Sequence, residues 1–528
     1  MALAATVASK MFTASETSII SLIVLAAFGI LGWGFYRARP FGKLGILAWL
    51  QSVVLIAPWL LFFGLFAVGI YINIAGVLFL LVASTGVYIF LGNRLRAAGQ
   101  DAVLRSRATE RLANSTQRAN QTENTTEAAD TTKPAQSQLN LDVMPIPDED
   151  LKAIQGIFGI DTFFATETIP YQEGAIFKGN LRGETESVHE RLTASLQERL
   201  SVSEAAPSEP RYRLFLVENV DGKPVVIVLP SRNDPRVTTL SQKILAVVLL
   251  VATIATTLET GGLVLGFDFF TTPARFRELL PIGAGILAVL AAHEIGHRLL
   301  ARRHGVRLSP PFFLPTLQIG SFGAITRFES LVPNRKVLFD IALGGPAAGG
   351  IVSLLMLLVG LLLSHQGIAW GFNPREFQVP TEFFQGSILV GTLARVVLGA
   401  AVLQQPLVDV HPLTVIGWMG LVITALNLMP AGQLDGGRIV QAIYGRKTSG
   451  RTTLATLIVL AIASLVNSLA LYWGIVIVFL QRDLERPSLN ELTEPDDARA
   501  ALGLLALFLM IAILLPLTPA LAGRLGIG

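Results

Sequence analysis

Cysteine is absent from the 528 residues, which excludes a disulfide framework, a thiolate-bound zinc finger, an iron–sulfur cluster and a cysteine nucleophile. Histidine is scarce, at six, so a metal site must combine imidazoles with carboxylates and few such sites are available. Charge is scarce as well: 15% of residues are Asp, Glu, Lys or Arg, against about 25% in soluble globular chains. The balance of 41 basic and 38 acidic residues leaves +3, and no basic field points to nucleic acid. The charge that exists is clustered, with 36 of the 79 charged residues in 101–240. The remainder is charge-poor and raises the mean hydropathy to +0.57. An ordinary soluble enzyme and a disordered chain are both excluded.

What is present are long apolar runs. Those at 17–36, 44–69 and 72–92 each approximate the ~20 residues that cross a bilayer. Only Lys10 precedes the first, and two more follow closely, so it is not a cleavable signal. Arg37, Arg39 and Lys43 follow the first run, and Arg94, Arg96, Arg105 and Arg107 the third. By the positive-inside rule the N-terminus lies outside and the chain beyond 93 is cytoplasmic. Residues 107–140 are rich in Thr, Asn, Gln and Ala and read as a flexible tether. A globular composition follows. Pro147-Asp148-Glu149 opens a short helix, Ser187–Arg199 is amphipathic, and strands at Tyr212–Glu218 and Pro224–Leu229 flank the turn signal Asp221-Gly222.

Membrane character returns at Gln242, with spans expected near 242–258, 278–300, 337–363, 412–430, 453–480 and 500–520. The run 308–328 is broken by Pro310, Pro311, Pro315, Gly320 and Gly323, which suits a re-entrant segment buried in protein. Residues 384–405 contain Arg395 and either span or lie along the surface; 453–480 is one tilted helix or a hairpin near Asn467-Ser468. The expected fold is an all-α polytopic membrane protein of roughly eight to ten spans, with a re-entrant segment and an inserted small α+β cytoplasmic domain. Its parts are a three-span region at 1–95, a polar linker at 96–140, the soluble domain at 141–238 and a membrane core at 239–528.

The chemistry centres on His293-Glu294-Ile295-Gly296-His297. Positions i and i+4 of a helix share a face, so two imidazoles there can converge on one Zn²⁺ at ~2.0–2.1 Å. Glu294 lies beside the metal rather than on it, placed to take a proton from water and pass it to a leaving amine. Two surface histidines on a polar helix would be the bland alternative. The apolar flank Ile282–Leu290 argues against it, because an ionisable side chain at membrane depth costs at least ~2.5 kcal/mol and is by default functional. A catalytic zinc needs a third protein ligand. Asp340 begins a long helix beside Arg335 and Lys336, where charge stabilisation explains it. Asp435 lies among Pro430, Gly432, Gly436 and Gly437, where a loosened helix lets a carboxylate aim at another helix, and is the better candidate.

The ordered set His293-Glu294-x-x-His297, Gly344-Gly345-Pro346 and Asn427-x-x-Pro430-x-x-x-Leu434-Asp435-Gly436 resembles the site-2 protease family of intramembrane zinc metalloproteases over about 240–520. Gly159–Phe164 and Gln172–Gly183 resemble its cyanobacterial and plastid branch, named after the ethylene-dependent gravitropism-deficient and yellow-green protein. The resemblance implies zinc held by His293, His297 and Asp435, Glu294 as the base, and a transmembrane protein substrate cut in the lipid bilayer. Met1–Ser15 does not read as an Arg-rich transit peptide, so a cyanobacterial plasma or thylakoid membrane is expected, with the active site towards the cytoplasm.

Several residues keep two readings. Gly344–Gly350 serves helix packing. Ile319–Thr326 is either an extended edge near the metal, to which an unwound substrate can add as a strand, or a plain buried loop. Asn427 either donates to the scissile carbonyl, the preferred reading, or caps freed backbone. His411 marks a loop with Asp409, and His189, His304 and His365 read as surface residues. A protease of the soluble-facing type would need a ligand such as Glu376 or Glu382, and neither lies in a helical ligand motif. The alternative function is a non-proteolytic membrane scaffold or transport factor on the same fold, which has no need of Glu294.

Overall fold

The computed structural model describes residues 32–67, scattered positions of 76–94, and 146–527 apart from 172, 201–209, 220–221, 318, 367–376, 466 and 482. Most of the run expected at 17–36 and about half of that expected at 72–92 lie outside the described residues, as do Asp221, Glu376 and the whole of 107–140. The chain divides into two compact units, 1–139 with 457–480 and 140–456 with 481–528.

In the first unit, α1 (Gly42–Ala67) forms one long helix through Pro58. In the second unit the polar insertion folds as an α+β domain from α2 (Asp148–Gln155), β1 (Phe163–Tyr171), β2 (Gly174–Leu181), α3 (Thr185–Arg199), β3 (Tyr212–Glu218) and β4 (Pro224–Pro230). Its antiparallel sheet has the order β1-β2-β4-β3. Val188, Leu192 and Leu196, spaced i, i+4, i+8, bury one stripe of α3 against a core that includes Phe163, Phe177, Leu214 and Val226. The helix period of one segment and the strand period of the other thus meet in a single apolar layer. The outer edge of β3 is not left open. Leu216 N donates to Leu489 O (2.8 Å) and Glu491 N to Leu216 O (2.9 Å), so a late loop of the chain covers a strand edge that would otherwise invite pairing.

The apolar part of this unit is mostly helical. Its elements are α4 (Leu240–Val264), α5 (Phe276–Arg303), the hairpin β5 (Phe312–Thr316) and β6 (Gly320–Ile325), α6 (Arg335–Gln366), α7 (Ile388–Leu398), α8 (Pro412–Asn427), α9 (Asp435–Ala463) and α11 (Asp497–Leu514). Among the described residues, Leu240–Val264, Pro273–Arg303, Arg335–Gln366 and Asp497–Leu514 are long and apolar enough to cross a membrane. α8, at 16 residues, is shorter, and its side chains are nearly all buried. It packs closely on α6, where any side chain at Gly417 would strike the Leu357 backbone. Close backbone approach of this kind replaces the hydrophobic drive that lipid does not supply.

Three ambiguous runs resolve physically. Residues 308–328 fold back as the β5–β6 hairpin, Phe312 opposite Ile325 and Thr316 opposite Gly320, so the proline- and glycine-broken run is a strand pair inside protein. α7 has 11 residues, about 16 Å at 1.5 Å per residue and too short to span. The run 453–480, of which 457–480 belong to the first unit, is a hairpin: α9 ends at Ala463 and α10 (Ser468–Val476) begins under an Asn467 cap. A Cβ at Gly474 would lie 3.8 Å from Leu460 Cβ, which a single straight helix forbids.

Candidate metal centre

α5 turns His293, Glu294 and His297 inward, with relative exposures of 5%, 6% and 4%. Asp435 is the first residue of α9. Although 142 residues separate them in sequence, His293 Nε2 lies 3.1 Å from Asp435 Oδ2. His297 Nε2 lies 3.3 Å from the same oxygen, and the two Nε2 atoms are 3.1 Å apart. A tetrahedral zinc with ~2.0–2.1 Å bonds has ligand–ligand edges of about 3.3–3.4 Å. The three donors therefore fit one face of such a tetrahedron. His297 Nδ1 donates to Ile341 O at 2.7 Å, which puts the ring proton on Nδ1 and leaves the Nε2 lone pair for a metal.

The helices around these donors are shaped to admit them. Gly345 and Gly349 on α6 are one turn apart and face His297 and His293, also one turn apart on α5; a Cβ at Gly349 would stand 3.1 Å from His293 Cβ, and one at Gly345 would overlap the His297 ring. The run Gly344–Gly350, read from the sequence as packing alone, thus also clears space for imidazoles. Gly436 and Gly437 differ from the reading made of them. They do not loosen α9. Both lie in its first turn, where a side chain would collide with the Leu428, Ala431 and Gly432 carbonyls, so they let the preceding loop fold tightly beneath Asp435.

Asp340 is elsewhere. Its oxygens accept from Arg499 Nε and Nη2 at 2.7 and 3.0 Å and face His304 Nε2 at 3.3 Å. Asn427 Nδ2 donates to Ile423 O (2.9 Å) and Phe322 O (3.1 Å), joining α8 to β6 as a backbone cap. His411 caps α8 by accepting from Leu413 N, and His189 is half-buried near Leu214 O.

Two contacts of the candidate site escaped the sequence reading. The Thr326 hydroxyl donates to Glu294 Oε2 at 2.9 Å, fixing that carboxylate. Arg438, a basic residue shortly after the span expected at 412–430, is 6% exposed. It donates to Thr326 O (2.9 Å) and Glu485 (2.9 Å) and stands 4.0 Å from Asp435 Oδ1. The signal that could have found it is its spacing: i+3 from Asp435 places it on the same helix face.

A two-histidine, one-carboxylate donor set with an uncoordinated glutamate beside it, enclosed by apolar helices, is the arrangement of a membrane-embedded metallopeptidase. The chain belongs to peptidase family M50, whose model matches residues 282–467, as the motif resemblance to site-2 proteases implied. Residues 152–235 match the EGY3 middle domain. Among curated relatives, "Probable zinc metalloprotease EGY2, chloroplastic" of Arabidopsis thaliana is 36% identical over 402 residues, covering 72% of this chain and 67% of the relative. "Probable zinc metalloprotease EGY1, chloroplastic" of the same plant is 38% identical, covering 72% and 73%. "Probable zinc metallopeptidase EGY3, chloroplastic" is 33% identical, covering 70% and 65%. No solved structure matches the chain.

These relatives are plant proteins named as chloroplastic, which overturns the expectation of a cyanobacterial plasma or thylakoid membrane with a cytoplasm-facing site. The choice of membrane rested on the composition of the first fifteen residues and the side on basic clusters at span ends, and neither reports the compartment in which a chain works.

Proposed function

We propose that the chain is a zinc-dependent intramembrane endopeptidase that hydrolyses a peptide bond in or near a transmembrane helix of a membrane-protein substrate. In this reading His293, His297 and Asp435 hold one zinc, Glu294 is the general base and acid, and Asn427 lies beside the reacting peptide. The observation that carries it is the convergence of three donor atoms within 3.3 Å of one another beside a buried glutamate. Zinc, when bound, supplies Lewis acidity toward a peptide carbonyl and makes water nucleophilic near neutral pH.

The chain's own residues do the rest. Glu294, fixed by Thr326, takes the proton of the attacking water and returns it to the leaving amine. Among the described residues β6 pairs with β5 alone, so its second edge has no strand partner there and suits an unwound substrate segment added as a further strand. Asn427 would reach the scissile carbonyl by exchanging its bond to Phe322 O. The proposed organisation is three spans in 1–95, a linker at 96–140, a soluble domain at 141–238 and the protease core at 239–528, roughly eight to ten spans in all.

The test is zinc analysis of purified protein together with cleavage of a bilayer-embedded single-span substrate. Glu294→Gln should keep stoichiometric zinc and lose at least about 100-fold in turnover. Near-normal turnover of that variant would refute the assigned base.

A further inference from the structure

Beside the metal centre, within the same compact unit, lies a cavity of about 590 Å³, within the ~300–1,000 Å³ range of ligand sites. It starts where the site ends. Arg327, the residue after the threonine that holds Glu294, lines it, as do Gln433, two residues before Asp435, and Glu485, the partner of Arg438. Its opposite wall is the segment that leaves the inserted domain, Arg232 to Gln242.

The charges of this cavity are unequally matched. Asp234 is held by Arg213 at 2.9 Å, Glu485 by Arg438 at 2.9 Å, and Arg232 by Glu173 at 2.7 Å. Glu329 accepts from Thr238 N at 2.8 Å. Three guanidinium groups have no carboxylate partner among the described residues. Arg486 donates to the Asn233 carbonyl, Arg327 stacks over Phe312 at 5.2 Å, and exposed Arg236 has no bonded partner among the described residues. The cavity, lined by the sequence neighbours of the site, thus carries an excess of unpaired cations.

We propose that this cavity receives the acidic juxtamembrane flank of the protein substrate. Chain geometry supports this occupant. A substrate segment added along β6 (Gly320–Ile325) and running on past Thr326 enters the cavity beside Arg327, because consecutive Cα atoms are only ~3.8 Å apart. The inserted domain then contributes a wall of the substrate site, and the charge of the flank selects among substrate helices that are equally apolar. Complementary charge of this kind discriminates partners more than it adds raw affinity.

The inference rests on the proteolytic reading of the site, so it is tested by binding, apart from cleavage. Two synthetic single-span helices, identical except for a four-Glu or a four-Lys flank, are titrated against the full-length Glu294→Gln protein in neutral phosphatidylcholine bicelles. The Glu-flanked probe should bind roughly tenfold tighter, the scale of two or three exposed ion pairs. The preference should vanish in Arg236→Glu/Arg486→Glu on that background. With Glu294 intact, the same double variant should raise KM for the Glu-flanked probe, leave kcat unchanged and retain zinc. Equal binding of both probes, binding of neither, or a preference that survives the double variant overturns the proposal. Loss of the preference when phosphatidylglycerol is added assigns the cavity to lipid headgroups and also overturns it. Intact flank preference in a protein that cleaves neither probe would sink the proteolytic reading and leave this one standing.

Discussion

Gly345→Ala puts a methyl carbon where the His297 ring now lies. The added Cβ would stand 2.5 and 2.6 Å from ring carbons Cδ2 and Cε1 and nearer still to Nε2. Carbon atoms pack at about 3.5–4.0 Å, so the ring must move by about 1 Å. Zinc sites tolerate only ~0.2 Å in ligand distance, and the bond from His297 Nδ1 to Ile341 O limits where the ring can go. The substitution should therefore displace one of the three proposed ligands and weaken zinc by more than the ~10–100-fold seen when outer-shell partners are lost. Two neighbours grade the effect. At Gly349 the new carbon meets His293 Cβ at 3.1 Å and Nδ1 at 3.3 Å, a crowding that a small shift relieves, and about a tenfold loss or less is expected. At Gly350 it meets only Thr424 Cγ2 at 3.6 Å, ordinary contact. Alanine there should leave zinc unchanged and add up to about 1 kcal/mol of helix stability. Competitive chelator titration of the three purified variants reads the series directly. Zinc affinity of Gly345→Ala within threefold of wild type, or a larger loss at Gly350 than at Gly345, would refute the reasoning.

Asp435→Ala should lose both zinc and cleavage, whereas Asp340→Ala, which breaks only the Arg499 and His304 contacts, should retain zinc; metal analysis of the pair reverses the assignment if it finds the opposite. Arg438→Met leaves Glu485, 7% exposed, buried without its cation, and should cost about 3–5 kcal/mol in thermal or denaturant unfolding. Adding Glu485→Met should recover part of that loss, and no recovery would show that the pair is not the unit that matters. In the inserted domain, burial first and then the hydrogen bond to Asp150 push the Tyr212 phenol up from 10.0 to about 12. Because the folded value is the higher one, the stability Tyr212 contributes is complete below pH 10 and is lost as pH rises towards 12. Difference absorbance against Tyr212→Phe should therefore lack a phenol titrating near 10; an ordinary midpoint there would contradict the contact.

What was legible in the sequence was what periodicity and spacing encode. The stripe Val188, Leu192, Leu196 gave α3, the alternation at 212–218 and 224–229 gave two strands, and the four-residue interval between His293 and His297 placed both imidazoles on one helix face. Asp435 was also reachable, because a carboxylate among glycines after a proline has no ordinary reason to sit in an apolar run. What could not be read was which residue faces which across helices. Arg438 is the clearest case: by composition it belongs with Arg446 and Lys447 as a flank charge, yet it is buried and bonded to Thr326 and Glu485. A count of basic residues at a span end does not distinguish a solvated arginine from one enclosed by tertiary structure.

The glycines show the same limit from the other side. A glycine in a helix weakens it, and a glycine at a crossing removes a side chain from the path of another element, and one letter stands for both. Gly436 looked like the first and is the second, since the Leu428 carbonyl occupies the space its side chain would fill. Gly345 and Gly349 carry the information jointly. Their four-residue interval repeats that of His297 and His293 because α5 and α6 pack face to face, and a pair of imidazoles one turn apart needs a pair of gaps one turn apart to enter. The proposed metal centre is therefore specified twice in the sequence, once by the residues that would donate and once by the residues that are missing side chains opposite them. Only the contact between the two helices makes the second specification readable.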